Sequence, residues 1–78
     1  MSMRVQLFGR AGCHLCDIAR VVVGQESERA GVQWQEIDID SDPDLQRRYG
    51  ELVPVVLVDG EQIGYWRIDA GDLRAALK

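Results

Sequence analysis

The feature that most constrains this chain is the segment Phe8-Gly9-Arg10-Ala11-Gly12-Cys13-His14-Leu15-Cys16, where an apolar run ends, two glycines allow a turn and two cysteines follow. Residues with helical spacing begin at the cysteines, so Cys13 is predicted to lie in the first turn of a helix. The unpaired N–H groups and the helix dipole there favour a thiolate and lower the pKa of the Cys13 thiol. Cys16 follows one helical turn later on the same face, close enough to attack a mixed disulfide formed by Cys13. We therefore predict that Cys13 is a nucleophile and Cys16 is its resolving thiol.

Length and composition limit the class of protein. The chain has 78 residues, 46% of them hydrophobic and 28% charged, which predicts one globular domain spanning residues 1–78. The sequence contains no run near the roughly 20 apolar residues of a membrane span, and no secretory signal. We therefore expect a cytoplasmic monomer whose close cysteine pair is catalytic or metal-binding rather than structural. A net charge of −4 argues against nucleic acid or an anionic membrane as a partner.

The alternation of apolar and polar residues predicts the element order βαβαββα, with the third and fourth strands as antiparallel neighbours across a tight turn. In the first helix, the apolar residues Leu15, Ile18, Ala19 and Val22 are predicted to face the core, while Asp17 and Arg20 point away. The predicted elements are a strand over Met3–Phe8, a helix from the cysteines to near Ala30, a strand over Val32–Ile39, a helix from the Ser41–Asp44 cap to Gly50, strands over Val53–Val58 and Glu61–Tyr65 around Asp59-Gly60, and a helix over Ala70–Lys78.

A C-x-x-C motif after the first strand of this pattern resembles the thioredoxin superfamily, and the small size resembles its glutaredoxin-like branch. The residues that carry the resemblance are Cys13-His14-Leu15-Cys16, Val53-Pro54, the Asp59-Gly60 hairpin and the terminal helix after Gly64. The resemblance implies an α/β protein with the thioredoxin-like three-layer α/β/α fold, a mixed four-stranded sheet and thiol–disulfide oxidoreductase activity. It also implies that Pro54 is cis and lies beside Cys13, with the Val53 backbone free to pair with an extended thiol-bearing substrate.

The resemblance implies one of two alternative electron donors. Glutathione-using glutaredoxins typically carry Cys-Pro-Tyr-Cys, Thr-Val-Pro and a Gly-Gly pair followed by acidic residues that hold the glutamyl end. The corresponding stretches here are Cys13-His14-Leu15-Cys16, Leu52-Val53-Pro54 and Gly64-Tyr65-Trp66-Arg67, and the last is more similar to small redoxins reduced by a flavoprotein thioredoxin reductase. Glutathione and a thioredoxin reductase therefore both stay open as donors, and no bound cofactor is expected.

Four further residues are candidates for substrate binding beside Val53 and Pro54. A protonated His14 would stabilise the neighbouring thiolate, although a solvated side chain fits its position equally well. Arg10 would favour the thiolate or an incoming anion, or it is an exposed loop residue. Tyr65 and Trp66 would flank a peptide groove, or they pack before the last helix.

Two other classes of function use the same cysteines or the same fold. Cys13, Cys16 and His14 would supply three zinc-type ligands, but a closed structural site needs four and the chain has no other cysteine or histidine. An iron–sulfur cluster shared between two copies of the chain is the remaining metal hypothesis. A third hypothesis is a partner-binding module that keeps the fold without turnover. The leading prediction is the reduction of disulfides in proteins or small molecules, with no metal.

Overall fold

The computed structural model describes residues 3–78. The predicted order βαβαββα is confirmed, with one short 3-10 turn added. The first three strands each start two residues later than predicted, and the fourth strand has its predicted bounds. The elements are β1 (Val5–Gly9), α1 (His14–Ala30), β2 (Trp34–Asp38), a 3-10 turn (Ile39–Ser41), α2 (Pro43–Tyr49), β3 (Val55–Val58), β4 (Glu61–Tyr65) and α3 (Ala70–Ala76). Among the described residues, no helix is both long and apolar enough to cross a bilayer.

The helices begin and end at residues whose side chains or backbone conformations favour those positions. Helix α1 ends at Gly31, whose φ of 71° is left-handed and whose N–H donates to the Glu28 carbonyl. Asp42 precedes α2 and accepts the Asp44 N–H, with Pro43 as the first helical residue. These local signals explain why the helix positions could be predicted from the sequence.

The four strands form one mixed sheet in the order β2-β1-β3-β4. Strand β1 pairs in parallel with β2 and antiparallel with β3. Strands β3 and β4 form the predicted hairpin, and both turn residues, Asp59 and Gly60, have positive φ angles of 53° and 84°. That pair of angles matches the twist of the flanking strands. Strands β1 and β3 therefore occupy the two central positions of the sheet.

Two apolar clusters cover the two faces of the sheet and make the fold three-layered. On one face, β1 and β3 residues such as Leu7 and Val56 pack against Ala19 and Val23 of α1 and Leu73 of α3. The buried residues of the other face come from β1, the 3-10 turn, α2 and β3 and are Phe8, Ile39, Tyr49 and Val55. The rings of Phe8 and Tyr49 stack with centroids 4.8 Å apart. The three-layer α/β/α fold with a mixed four-stranded sheet is thus confirmed.

The predicted inner face of α1 is wrong at Ile18, which is 50% exposed. The buried stripe of the helix is instead Cys16, Ala19, Val23, Glu26 and Ser27. Cys16 faces β1, and at about 100° per residue Ile18 is turned some 200° away from it. The rotation of the helix is set by the burial of Cys16, so the longer apolar side chain is left at the surface.

Candidate functional site

The two cysteines occupy different environments at the start of α1. Cys13 is the N-cap residue, and its Sγ accepts the backbone N–H of Cys16 at 3.1 Å. Cys13 is half-buried, whereas Cys16 is fully buried. Their sulfur atoms lie at disulfide distance, with Cα atoms 5.2 Å apart. A reagent in solution therefore meets the Cys13 sulfur first, with the second sulfur directly behind it.

Gly9 leaves the space that the buried cysteine occupies. A Cβ atom at this position would lie 3.2 Å from Cys16 Sγ and 3.4 Å from Cys16 Cβ, closer than such atoms usually pack. The end of β1 therefore packs directly against the Cys16 side chain. A glycine at this point of the strand lets the helix approach the sheet closely.

Arg10 connects the cysteine loop to the elements on the far side of the sheet. Its guanidinium donates to Asp40 Oδ1 at 2.6 Å and to the Gly50 carbonyl at 3.4 Å. The hydrogen bond from Arg10 and the charge of its guanidinium hold the pKa of the Asp40 carboxyl below its ordinary value. The Arg10 charge is thus matched by a carboxylate within the chain, and its predicted role in substrate binding stays a prediction.

The backbone before β3 is partly occupied by internal hydrogen bonds. The Val53–Pro54 peptide bond is cis, as the resemblance implied. The Val53 N–H donates to the Tyr49 carbonyl at 3.1 Å, and the Trp66 N–H donates to the Pro54 carbonyl at 2.9 Å. The expectation that the Val53 backbone is free is therefore wrong for its N–H group. Within residues 3–78 its carbonyl accepts no hydrogen bond, so this oxygen is the backbone group that a ligand can use.

A groove of about 600 Å³ adjoins the cysteine motif. Leu15 of the motif forms one wall, and Tyr65 and Trp66 contribute rings that meet edge to face with centroids 5.1 Å apart. The indole Nε1 of Trp66 donates to the Glu51 carbonyl at 2.8 Å, which fixes the ring in place. The groove is lined by Leu15, Val53, Tyr65, Trp66 and Arg67.

The structure therefore brings three of the predicted binding residues, Val53, Tyr65 and Trp66, into one groove with the cysteine motif. His14 is exposed, Pro54 is buried, and neither belongs to the groove lining. Sequence reasoning missed Leu15 and Arg67 as lining residues. The available signal for Leu15 was its position between the cysteines, and for Arg67 its place directly after the two aromatic residues.

Comparison with known proteins decides the family. The family model described as Glutaredoxin-like domain matches residues 4–78. The chain belongs to the glutaredoxin-like family. This glutaredoxin-like protein is a thioredoxin-fold redox protein, since it combines that fold with a C-x-x-C pair at disulfide distance.

Relatives with known sequences or structures cover most of the glutaredoxin-like chain. It is 35% identical over 77 residues to the uncharacterized protein Rv0508 of Mycobacterium tuberculosis, covering 92% of this chain and 79% of that protein. It is 37% identical over 70 residues to glutaredoxin 1 of Escherichia coli, covering 80% of this chain and 82% of that protein. The solved structure of protein XcR50 from X. campestris is 39% identical, with a TM-score of 0.77 over 94% of this chain and 93% of that one.

The helix that carries the cysteines of the glutaredoxin-like domain also carries Arg20, which forms two ion pairs. Arg20 on α1 donates to Glu36 at 2.7 Å and to Asp17 at 2.9 Å. The hydrogen bonds to these carboxylates, that to Glu36 first, raise the pKa of the guanidinium. Between residues 3 and 78, no three His, Cys, Asp or Glu side chains are grouped so that they could hold a metal ion.

Proposed function

We propose that this protein is a thiol–disulfide oxidoreductase that reduces disulfides of proteins or small molecules through Cys13 and Cys16. The observation that carries the proposal is the difference in solvent exposure between the two cysteines. Cys13 is half-buried at the helix N-cap, while Cys16 is fully buried with its sulfur within bonding distance of Cys13 Sγ. A partly accessible nucleophile with a shielded resolving thiol is the arrangement that two-step exchange requires.

In the first step, the Cys13 thiolate attacks one sulfur of the substrate disulfide. A bond forms between Cys13 Sγ and that sulfur, the substrate disulfide breaks, and the other substrate sulfur leaves as a thiolate that takes up a proton. The Cys16 N–H, which lies 3.1 Å from Cys13 Sγ, stabilises the negative charge of the attacking sulfur. The product of this step is a mixed disulfide between the protein and one half of the substrate.

In the second step, Cys16 loses its proton and its sulfur attacks Cys13 Sγ. The Cys13–Cys16 disulfide forms and the second substrate thiol is released, so two electrons have passed from the protein to the substrate. A thiol reductant must then restore the dithiol, and glutathione or a flavoprotein thioredoxin reductase are the two candidate donors. We further propose that the protein works as a monomer in the cytoplasm, where such thiol pools keep cysteines reduced.

The test is to trap the intermediate. Cys16→Ser leaves the first attack possible but removes the resolving sulfur, so the variant should accumulate a mixed disulfide with a disulfide-bearing peptide, measured as an added mass. Cys13→Ser is the matched control and should trap nothing. Equal trapping by the two variants would show that the roles are not divided in this way, and absence of trapping in both would refute the proposed reaction.

A further inference from the structure

We infer that Arg67 directs this protein toward disulfides in extended peptide segments that carry an acidic residue next to the attacked cysteine. The inference rests on the proposed function, because it concerns which disulfides Cys13 attacks. It assigns a role in specificity to a residue at the edge of the groove. That edge is otherwise formed by the apolar and aromatic side chains of Leu15, Val53, Tyr65 and Trp66.

The charge of Arg67 has no carboxylate partner among the described residues. Most other arginines of the chain are matched by carboxylates at 2.6–3.9 Å. The acidic residue nearest in sequence, Asp69, caps α3, with its Oδ1 accepting the N–H groups of Gly71 at 2.6 Å and Asp72 at 3.1 Å. The arginines with such partners are Arg4, Arg10, Arg20, Arg29, Arg47 and Arg74.

An extended peptide fits the shape and the polar groups of the groove. At about 600 Å³, the groove is large enough for several side chains or for a ligand of comparable size. The Val53 carbonyl, which accepts no hydrogen bond within residues 3–78, offers an acceptor for a main-chain N–H. The aromatic walls suit an apolar side chain, and Arg67 suits a carboxylate beside it. Leu15 lies between the two cysteines in sequence and lines the groove, so a segment bound there adjoins the cysteine motif.

The preference must come from the local contact rather than from the field of the whole protein. The chain has a net charge of −4, which opposes the approach of an acidic peptide over long distances. A single exposed charge pair changes a rate by about 1.5- to 5-fold. Exchanging an attracted carboxylate for a repelled ammonium doubles that effect on the free-energy scale, so the rate ratio between the two peptides should change by about 2- to 30-fold.

The experiment uses three synthetic disulfide peptides that differ only in the residues flanking the attacked cysteine, which are Glu, Gln or Lys. Second-order rates of their reduction by the dithiol form are measured in single turnover at low ionic strength, with the protein reduced beforehand and the free reductant removed. Arg67→Gln removes the charge in question. Arg48→Gln is the matched control, because it removes one positive charge from an arginine that has no ion pair within residues 3–78 and does not line the groove.

The expected result is that Arg67→Gln lowers the Glu-to-Lys rate ratio about 2- to 30-fold while the rate with the Gln peptide is unchanged, and that Arg67→Glu inverts the preference. The Arg48→Gln ratio should stay at the wild-type value. An equal fall in both variants, or no fall in either, overturns the inference. If Arg67→Gln slows exchange with glutathione disulfide but not with the peptides, the assignment to a peptide segment is overturned. If the wild type reduces none of the three peptides, the proposed function itself fails.

Discussion

Gly9→Ala should destabilise the protein, because the added methyl group meets the buried resolving cysteine. The new Cβ would lie 3.2 Å from Cys16 Sγ, which is tighter than an ordinary van der Waals contact, and the Cys16 side chain is fully buried. Gly9 has no left-handed φ, so alanine meets no backbone strain there and the effect isolates the packing.

The magnitude follows from two opposing effects. Overpacking of a buried site costs about 1–3 kcal/mol. Replacing glycine by alanine at a compatible backbone position returns about 0.4–1 kcal/mol by restricting the unfolded chain. The middle values of the two ranges give a net loss of about 1.3 kcal/mol, which for a domain of this size is a fall in Tm of several degrees.

The assay is thermal and urea unfolding of the oxidised and the reduced protein. The loss should be larger in the oxidised form, because the disulfide holds the Cys16 sulfur in place whereas the thiol is free to rotate. A difference of about 1 kcal/mol between the two forms would raise the reduction potential by about 20 mV. Gly24→Ala is the control: its Cβ would lie 3.6 Å from the Trp34 ring, an ordinary contact, so this change within α1 should stabilise by about 0.5–1 kcal/mol. If Gly9→Ala proved as stable as the wild type, or moved in parallel with Gly24→Ala, the packing argument would be refuted.

Two further predictions concern titration. Alkylation of the reduced protein should occur at Cys13 first, with a pH midpoint below the ordinary thiol value of about 8.5, because the N-cap N–H groups stabilise the thiolate; a midpoint at or above that value would contradict the assignment. Asp40→Asn should lower the free energy of unfolding at pH 7, measured by urea titration. Because Arg10 lowers the pKa of folded Asp40, the wild-type advantage is complete above the unfolded value of about 4 and is lost as pH falls through the lowered value. An advantage that does not change with pH down to 2.5 would exclude this ion pair as its cause.

The order and type of the elements could be predicted because the signals for them are local. The Asp59-Gly60 turn, the Asp42-Pro43 cap and the glycine at position 31 each act through neighbouring backbone groups. The cysteine pair was equally local, since three residues of helix bring the two side chains together. These features needed no knowledge of how the layers pack.

The errors arose where tertiary packing decides. The spacing of Ile18 predicts a core residue. The rotation of α1 about its axis is instead set by the packing of Cys16 against Gly9. The Val53 N–H was expected to be free, but it donates a hydrogen bond to the carbonyl of Tyr49 at the end of α2. For Arg67 the sequence offers only its place directly after Tyr65 and Trp66. Its importance comes from the ion pairs that occupy other arginines and from its place in the groove, and both depend on the folded chain.

The burial of the second sulfur also bears on how the site withstands oxidants. A peroxide that reaches the half-buried Cys13 converts its thiolate to a sulfenic acid, which a second oxidant molecule would carry irreversibly to a sulfinic acid. Cys16 lies within bonding distance and needs no collision to react, so it condenses with the sulfenic acid to a disulfide and releases water. Since Cys16 is fully shielded from solvent, it is not itself a target for the same oxidant. The arrangement that resolves a substrate therefore also limits oxidative damage to a state that a thiol can reverse.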